Sequence, residues 1–216
     1  MTAQLQVALD RLALDDAVRI ARQVSSHADW VEVGTSLIKE FGMESVRRVV
    51  AAVEGTPVLA DTKTNDNARY EFELAYDAGA AAATVMATAP DQTIDTCFAV
   101  AADRRSTVMV DLLGADEARQ QVMLDRYPQG VVAVHVSKDV QEAGSESKPW
   151  SLPRGTSGRR VALAGGVRLS DVPRLLEMTA LTDCPIIIVG SAVTQARDPA
   201  RAASEFMAAI QEGQHS

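Results

Sequence analysis

The organisation of the chain is clearest at residues 57–66, which read PVLADTKTND. The apolar run at the start of this stretch is too short for a helix and is typical of a buried strand. Asp61 and Lys63 follow the run, and side-chain alternation along a strand points both to the same face. Asp66 adds a second carboxylate. Because buried charges are costly unless they pair, the cluster predicts a functional site at the carboxyl end of a strand. The alternative is a solvated turn with incidental charges.

Short β-branched runs like this one recur along the chain and alternate with amphipathic segments. Strand–helix alternation implies a parallel sheet, and eight such strands in 216 residues predict one α/β domain over residues 1–216, a compact (β/α)8 TIM barrel. A doubly wound open sheet is the competing architecture, and length alone would also allow two small domains. The predicted strands are 5–9, 30–33, 58–60, 82–85, 107–110, 131–135, 160–163 and 186–189. The predicted helices are 15–25, 43–53, 68–78, 91–103, 116–126, 170–178 and 199–212.

Polar residues mark the predicted starts of four helices, and a long polar segment follows the sixth predicted strand. Asp91, Asp116, Ser170 and Asp198 stand where N-caps are expected. Residues 139–159 are rich in Ser, Gly, Pro and charge, and only 139–143 favour a short helix. Since this segment follows the sixth strand, we expect it over the C-terminal face of the barrel, where loops build active sites. A tolerated surface insertion is the alternative.

Composition and charge exclude several classes of protein. The net charge of −8 argues against a nucleic-acid surface. No apolar segment approaches the ~20 residues that a membrane span needs, and the N-terminus does not resemble a signal peptide. Cys97 and Cys184 lie in apolar surroundings and are expected to be buried thiols rather than a disulfide. We therefore expect a cytoplasmic protein without membrane or nucleic-acid partners.

The residues at the carboxyl ends of the predicted strands are unusually polar. In a barrel these positions converge on one face, which is where catalytic groups stand. Glu32 interrupts an apolar strand, so it is either a metal ligand beside Asp61 or a carboxylate paired with Lys63. Two carboxylates without a thiolate or histidine cluster suit Mg2+, and Mn2+ accepts the same ligands. The polar residues at strand ends are Asp10, Glu32, Asp61, Lys63, Asp111, His135, Lys138 and Asp139.

His135 and the glycines at the last two strand ends complete the predicted site. A histidine at a strand end can move a proton near neutral pH, although a lone buried histidine is often structural. His27 and His215 are assigned no role. Gly165-Gly166 and Gly190-Ser191 follow the seventh and eighth strands, the usual phosphate position of such barrels. Glycine lets backbone N–H groups approach an anion, and a helix after Gly190 would point its positive end there. Glycine can also merely turn the chain.

Seven motifs, in this order and spacing, resemble the orotidine-monophosphate-decarboxylase-like superfamily over nearly the whole chain. Within it, they resemble the group of 3-hexulose-6-phosphate synthases and 3-keto-L-gulonate-6-phosphate decarboxylases. The motifs are LQVALD (5–10), VEVGT (31–35), ADTKTND (60–66), VH (134–135), Asp139 with Gln141, AGG (164–166) and IVGSA (188–192).

The resemblance implies a Mg2+-dependent aldehyde-lyase. In such an enzyme Glu32 and Asp61 hold the metal, which binds a cis-enediolate made from ribulose 5-phosphate. Lys63 stabilises the developing negative charge, and His135 moves the proton at C1 of the pentulose. The enediolate then attacks formaldehyde to give 3-hexulose 6-phosphate, and the reverse reaction is an aldol cleavage.

The resemblance also implies a homodimer whose active site is shared, with Asp66 reaching into the neighbour's site as a catalytic residue. Asp10 is expected to contact substrate hydroxyls. The remaining positions expected to bind the phosphorylated sugar are Asp111, Lys138, Asp139, Gly165, Gly166, Gly190 and Ser191.

Two residues favour the synthase branch, because decarboxylases usually carry Glu at the position of Asp111 and Arg at that of Ser191. Lys138 favours a decarboxylase, since decarboxylases have a catalytic Arg at its position. The chain departs from the family at Thr88, at Asn67-Ala68, where Ala-Gly is usual, and at Val136-Ser137, where synthases often have Thr-Gly. A β-keto-acid sugar-phosphate decarboxylase, a non-catalytic sugar-phosphate-binding protein and other barrel lyases or isomerases are the alternatives.

Overall fold

In the computed structural model, which describes residues 2–143 and 150–213, eight parallel strands close into a barrel in chain order. Closure comes from β1, which pairs with both β2 and β8. The predicted TIM-barrel fold is therefore confirmed, and each predicted strand is present. The strands are β1 Gln4–Leu9, β2 Trp30–Val33, β3 Val58–Thr64, β4 Ala82–Met86, β5 Thr107–Asp111, β6 Val131–His135, β7 Arg160–Ala164 and β8 Ile186–Val189.

The helices form the outer layer, and two of them were not predicted. Both α2 and α9 are short and follow directly after a strand-end glycine, so neither has the two turns of periodic sequence that indicate a helix. The short helix expected over 139–143 is present, displaced by one residue. The helices are α1 Leu14–Val24, α2 Thr35–Phe41, α3 Met43–Ala52, α4 Ala68–Asp77, α5 Asp91–Arg104, α6 Glu117–Arg126, α7 Lys138–Glu142, α8 Val172–Met178, α9 Ser191–Thr194 and α10 Pro199–Gly213.

Two apolar clusters hold these layers together. The larger cluster lies between the strands and the helices and includes Leu5, Phe72, Ile94 and Phe206. The smaller cluster fills the barrel interior with eight buried side chains, of which Ala82, Ala133 and Ala162 are small enough to fit the narrow lumen. Toward the carboxyl ends of the strands the inward-facing side chains become polar, so the packed layer ends where the predicted site begins.

The predicted helix caps are only partly correct. Asp116 accepts a hydrogen bond from the Arg119 backbone N–H at 2.8 Å, and Asp198 accepts one from Arg201 at 3.1 Å. Asp91 is instead the first residue of α5, and its carboxylate binds guanidinium groups of the neighbouring helix. Ser170 lies inside a 3-10 turn over Leu169–Asp171 and caps nothing. The sequence signal is the same in all four cases, but the guanidinium partners of Asp91 and the 3-10 turn at Ser170 give these two residues other roles.

The cysteines are only partly as the sequence predicts. Cys97 and Cys184 are both free, and Cys97 is fully buried, but Cys184 is partly exposed, so its predicted burial was wrong. Residues 144–149 of the predicted loop and His215 lie outside the described residues. Within the described ranges, no helix has the length and apolar character to cross a membrane.

Candidate active site

A cavity of about 430 Å³ opens at the carboxyl end of the barrel. It is lined by every residue that the sequence singled out for the site, except Asp66. These residues come from the ends of seven strands, so only closure of the barrel brings them together. The lining includes Asp10, Glu32, Asp61, Lys63, Asp111, His135, Lys138, Asp139, Gly165, Gly166, Gly190 and Ser191.

The Lys63 ammonium lies between two carboxylates at the centre of the cavity. Its Nζ is 2.7 Å from Asp111 Oδ2, and 3.1 Å and 3.2 Å from the two oxygens of Asp61. Burial lowers the pKa of Lys63, but the charges of Asp61 and Asp111 outweigh that effect and raise the pKa above its ordinary value. Lys63 is therefore a permanently charged ammonium that two aspartates hold in place.

A bulge in β3 gives Lys63 this position. The pairing of β3 with β4 shifts register between Ala60 and Thr64, and Lys63 adopts a left-handed backbone with φ of 46°. That conformation costs about 1–3 kcal/mol for a residue other than glycine. The Lys63 N–H donates to Thr84 Oγ1 at 2.8 Å, and the Thr62 hydroxyl donates to the Thr84 carbonyl at 2.7 Å. These bonds fix the irregular backbone that aims Lys63 into the cavity beside Asp61.

Two threonines that the sequence analysis did not identify support Asp61. Thr35 Oγ1 donates to Asp61 Oδ2 at 2.6 Å, and Thr84 Oγ1 donates to Asp61 Oδ1 at 2.8 Å. Both oxygens of this buried carboxylate are thus hydrogen-bonded, which offsets the cost of burying it. For Thr84 a signal was available, because it stands two residues after the inward-facing Ala82 on the same strand.

Asp111 couples Lys63 to His135. His135 Nδ1 lies 3.2 Å from Asp111 Oδ2, and Asp111 Oδ1 accepts the Leu113 backbone N–H at 2.9 Å. Burial raises the pKa of Asp111, but the hydrogen bond from His135 and the charge of Lys63 outweigh it and hold the pKa well below its usual range. An ionised Asp111 that accepts the Nδ1 proton leaves the other ring nitrogen of His135 free to take a proton.

Glu32 is a buried carboxylate beside Asp61. It accepts a hydrogen bond from Gln6 Nε2 at 2.5 Å, and this amide, rather than Lys63, is its bonded partner. Burial and the neighbouring charge of Asp61 raise the pKa of Glu32 to about 8. Gln6 is itself fully buried, and its Oε1 has no hydrogen-bond partner among the residues that the structure describes. Two adjacent carboxylates therefore share this part of the site, and the charge of one opposes ionisation of the other.

The two glycines that follow β7 are required sterically, whereas the glycine that follows β8 is not. Gly165 has φ of 102°, and a Cβ there would lie 2.4 Å from the Val136 carbonyl oxygen. Gly166 has φ of 70°, and its Cβ would lie 2.9 Å from Gln141 Oε1. A Cβ on Gly190 would meet its nearest atom only at 3.8 Å. The helix after Gly190 has four residues, so the dipole contribution expected from it is small.

Asp66 is exposed outside the cavity and accepts a hydrogen bond from the Asn67 N–H at 2.7 Å. A single chain therefore does not bring Asp66 into the site. Asp10 does line the cavity, where it accepts hydrogen bonds from the N–H and hydroxyl of Ser36. Lys138 and Asp139 lie at the mouth, in the first turn of α7.

Fold and site together define a (β/α)8 barrel with an acid–base centre at its carboxyl-terminal mouth. A model of the Orotidine 5'-phosphate decarboxylase / HUMPS family matches residues 3–206. A 3-hexulose-6-phosphate synthase of Staphylococcus aureus (strain bovine RF122 / ET3-1) is 31% identical over 212 residues, which cover 96% of this chain and 99% of that protein. The chain therefore belongs to the Orotidine 5'-phosphate decarboxylase / HUMPS family, as the motifs predicted, and it is an enzyme of the lyase type.

Solved structures agree with this assignment. The 3-hexulose-6-phosphate synthase from Salmonella typhimurium has a TM-score of 0.84 at 29% identity, and the match covers 97% of this chain and 99% of that one. KGPDC from Streptococcus mutans, in a complex with a sugar phosphate, has a TM-score of 0.83 at 26% identity, covering 97% and 98%. The likeness extends over the whole barrel in both cases.

The charge of Asp111 should stabilise the fold in a pH-dependent manner. Asp111→Asn keeps the shape of the side chain but removes the charge that faces Lys63 and His135. We expect the free energy of unfolding at pH 7 to fall by about 1–3 kcal/mol. Because the folded-state pKa of Asp111 is depressed, its contribution is complete above the unfolded pKa and is lost as the pH falls through the folded value.

Urea unfolding of both proteins between pH 7 and pH 2.5 measures this difference. The gap between wild type and variant should shrink below about pH 4, where the aspartates of the unfolded chain become protonated. A gap that is absent at pH 7, or that widens toward low pH, contradicts the assignment.

Proposed function

We propose that the enzyme is an aldehyde-lyase of the 3-hexulose-6-phosphate synthase type, which condenses formaldehyde with ribulose 5-phosphate and catalyses the reverse cleavage. The observation that carries the proposal is the Asp61–Lys63–Asp111–His135 chain of contacts, which places a fixed cation and a proton acceptor in one cavity. The named relatives include synthases that match over 96–97% of this chain.

The reaction needs a base at C1 of the pentulose and a positive charge where the enediolate forms. His135, with Nδ1 on Asp111, takes the C1 proton at its other ring nitrogen. Lys63 stabilises the negative charge that develops on the adjacent oxygen, and it does so without reorganisation because Asp61 and Asp111 already hold it. C1 then forms a carbon–carbon bond to formaldehyde, and the carbonyl oxygen of formaldehyde takes up a proton.

Glu32 and Asp61 fit a divalent cation. Burial and mutual repulsion raise the pKa of Glu32, and a cation between the two carboxylates would remove that penalty. No group of three or more His, Cys, Asp or Glu side chains suited to a metal occurs in residues 2–143 and 150–213. Two carboxylates and open positions for substrate and water are the arrangement that Mg2+ favours, and Mn2+ accepts the same oxygens. When bound, the cation supplies Lewis-acid stabilisation of oxyanions.

A phosphorylated sugar fits the rest of the cavity. The backbone turns at Gly165-Gly166 and Gly190-Ser191 line one side of it, where N–H groups can approach a phosphate. Asp10, held by Ser36, and Asp139 offer acceptors for sugar hydroxyls.

A decarboxylase acting on 3-keto-L-gulonate 6-phosphate is the second candidate, and Lys138 favours it. Lys138 lines the cavity, and no other described residue pairs with it. An ammonium there can guide a proton to the enediolate that remains after CO2 leaves. Release of CO2 from that substrate, lost in Lys138→Ala, together with no consumption of formaldehyde, would move the enzyme to this branch.

Removing the metal and replacing Glu32 are direct tests of the proposed synthase activity. Consumption of formaldehyde in the presence of ribulose 5-phosphate should stop with a chelator and return when Mg2+ is added. Glu32→Gln should lower the rate at least about 100-fold, because it removes one ligand of the proposed metal. Its free energy of unfolding should not fall, since a neutral amide avoids the cost of the buried charge and the unpaired Gln6 Oε1 can accept from it.

Asp61→Ala should abolish activity as well, but it also removes a partner of Lys63, which makes Glu32→Gln the cleaner variant. Full activity in chelator, or in Glu32→Gln, would contradict the proposed metal site.

A homodimer with shared sites is part of the proposal. Asp66 is exposed, as are Asn65, Asn67 and Tyr70, and all four lie in the segment that leads from β3 into the first turn of α4. In a symmetric dimer this segment can supply Asp66 to the neighbouring site.

Mixing two inactive variants tests this sharing. Lys63→Ala and Asp66→Ala each break both sites of their own dimer, whereas a mixed dimer has one intact site. A mixture that exchanges subunits should regain about a quarter of wild-type activity, because half of the dimers are mixed and each of those has one working site. A mixture of Lys63→Ala with His135→Ala is the control and should regain nothing. No recovery in the first mixture, with subunit exchange established, would contradict the shared site and place Asp66 in the site of its own chain.

A further inference from the structure

An ion pair crosses the mouth of the cavity. Arg11 Nη1 lies 2.7 Å from Glu142 Oε1, and both side chains line the cavity. Arg11 follows β1, whereas Glu142 is the last residue of α7, which follows β6. The contact therefore joins loops from two strands that are not neighbours in the barrel.

The two loops that this ion pair joins lie on either side of the glycine turns in the order of the strands. Around the barrel wall, β1 is followed by β8, β7 and β6. A contact between the loops after β1 and β6 spans the sector of β7 and β8, whose ends are Gly165-Gly166 and Gly190-Ser191. The guanidinium of Arg11 thus belongs to the part of the mouth where the backbone is open to an anion.

The charges of the cavity indicate why a cation is needed there. Within residues 2–143 and 150–213, six carboxylates line it, and the Lys63 ammonium is already paired with Asp61 and Asp111. The helix that begins at Ser191 is too short to offer a substantial dipole. A phosphate monoester with a charge near −2 therefore depends on the cations at the mouth, which among the described residues are Lys138, after β6, and Arg11, which follows β1 beside β8.

Arg11 is built to change partners. The two side chains of the Arg11–Glu142 pair are 57% and 53% exposed, and such exposed pairs contribute only about 0.2–1 kcal/mol, so the guanidinium is easily released. Its backbone, in contrast, is fixed. Arg11 has φ of 53°, and its N–H donates at 2.7 Å to Ser36 Oγ, which in turn donates to Asp10. A strained but anchored backbone holding a loosely paired side chain is typical of a ligand-binding position.

We infer that Arg11 binds the phosphate group of the substrate and that Glu142 holds Arg11 in place while the site is empty. This assignment rests on the proposed function, because it takes the substrate to be a phosphorylated sugar. It also predicts that Arg11 and Glu142 have opposite effects on binding, since one attracts the phosphate and the other competes with it.

Calorimetric titration of four proteins tests this prediction, in the presence of Mg2+ and without formaldehyde. The proteins are wild type, Arg11→Gln, Glu142→Gln and Arg104→Gln. Arg104 is the matched control, because it forms an Arg–carboxylate pair of the same length with Asp77 and does not line the cavity. The ligands are ribulose 5-phosphate, inorganic phosphate and unphosphorylated ribulose.

Arg11→Gln should weaken binding of ribulose 5-phosphate and of inorganic phosphate by about tenfold or more, the effect of losing one charge-assisted contact. Binding of ribulose itself should not change. Glu142→Gln should tighten binding of both phosphates by up to about fivefold, because the competing exposed pair is weak. Arg104→Gln should bind all ligands as the wild type does.

The outcomes separate this inference from the proposed function. If the ion pair only ties two loops together, Arg11→Gln and Glu142→Gln will weaken all three ligands alike, and the inference is wrong. It is equally wrong if Arg11→Gln binds both phosphates within twofold of wild type while the wild type consumes formaldehyde. Phosphate binding that depends on Arg11 in a protein that does not consume formaldehyde contradicts the synthase reaction alone. A wild type that binds neither phosphate overturns both.

Discussion

The site depends on one interaction, the ammonium of Lys63 held between Asp61 and Asp111. Burying these charges is costly, and each carboxylate is compensated by further donors from Thr35, Thr84 or the Leu113 backbone. The bulge in β3 belongs to the same hydrogen-bond network, because the Lys63 N–H and the Thr62 hydroxyl both donate to Thr84. Backbone irregularity and side-chain pairing therefore stabilise each other, and neither is explained without the other.

Along the barrel axis, the residues that stabilise the fold are separate from the residues that line the site. Its interior toward the amino ends of the strands is a packed layer of small and branched apolar side chains, including Ala82, Val131 and Ile186. Two residues beyond this apolar layer, toward the carboxyl ends of β3, β4 and β5, the inward-facing residues are Asp61, Thr84 and Asp111. Because side chains alternate along a strand, the inward face that contributes to the core also contributes to the site further along. Gln6 and Glu32 stand at the boundary, where a buried amide supports a buried carboxylate.

Much of this arrangement could be predicted from the sequence, because it follows from periodicity. Short apolar runs indicated the eight strands, and the polar residues that end them indicated the lining of the cavity. What could not be predicted depends on tertiary partners or on the local course of the backbone. Asp91 and Ser170 carry the same capping signal as Asp116 but take other roles, since Arg119 and Arg126 bind Asp91 and a 3-10 turn replaces the helix start at Ser170.

Two further features have no local signature. The left-handed conformation of Lys63 is not favoured by the residue itself and arises from the register shift against β4. The pair of Arg11 with Glu142 joins positions 131 residues apart, so no window of sequence contains it. Motif resemblance identified the family because it depends on the residues at the strand ends and on their spacing along the chain, and it contains no information on long-range contacts such as this ion pair.

The most direct test of the chemistry at Lys63 and His135 is proton exchange without the second substrate. Ribulose 5-phosphate incubated with the enzyme and Mg2+ in D2O should lose one C1 proton signal in the NMR spectrum, because an enediolate forms and takes up deuterium when it collapses. The exchange should be abolished in Lys63→Ala and in His135→Ala. Absence of exchange in the wild type, or exchange that continues unchanged in either variant, would contradict an enediolate formed at this site.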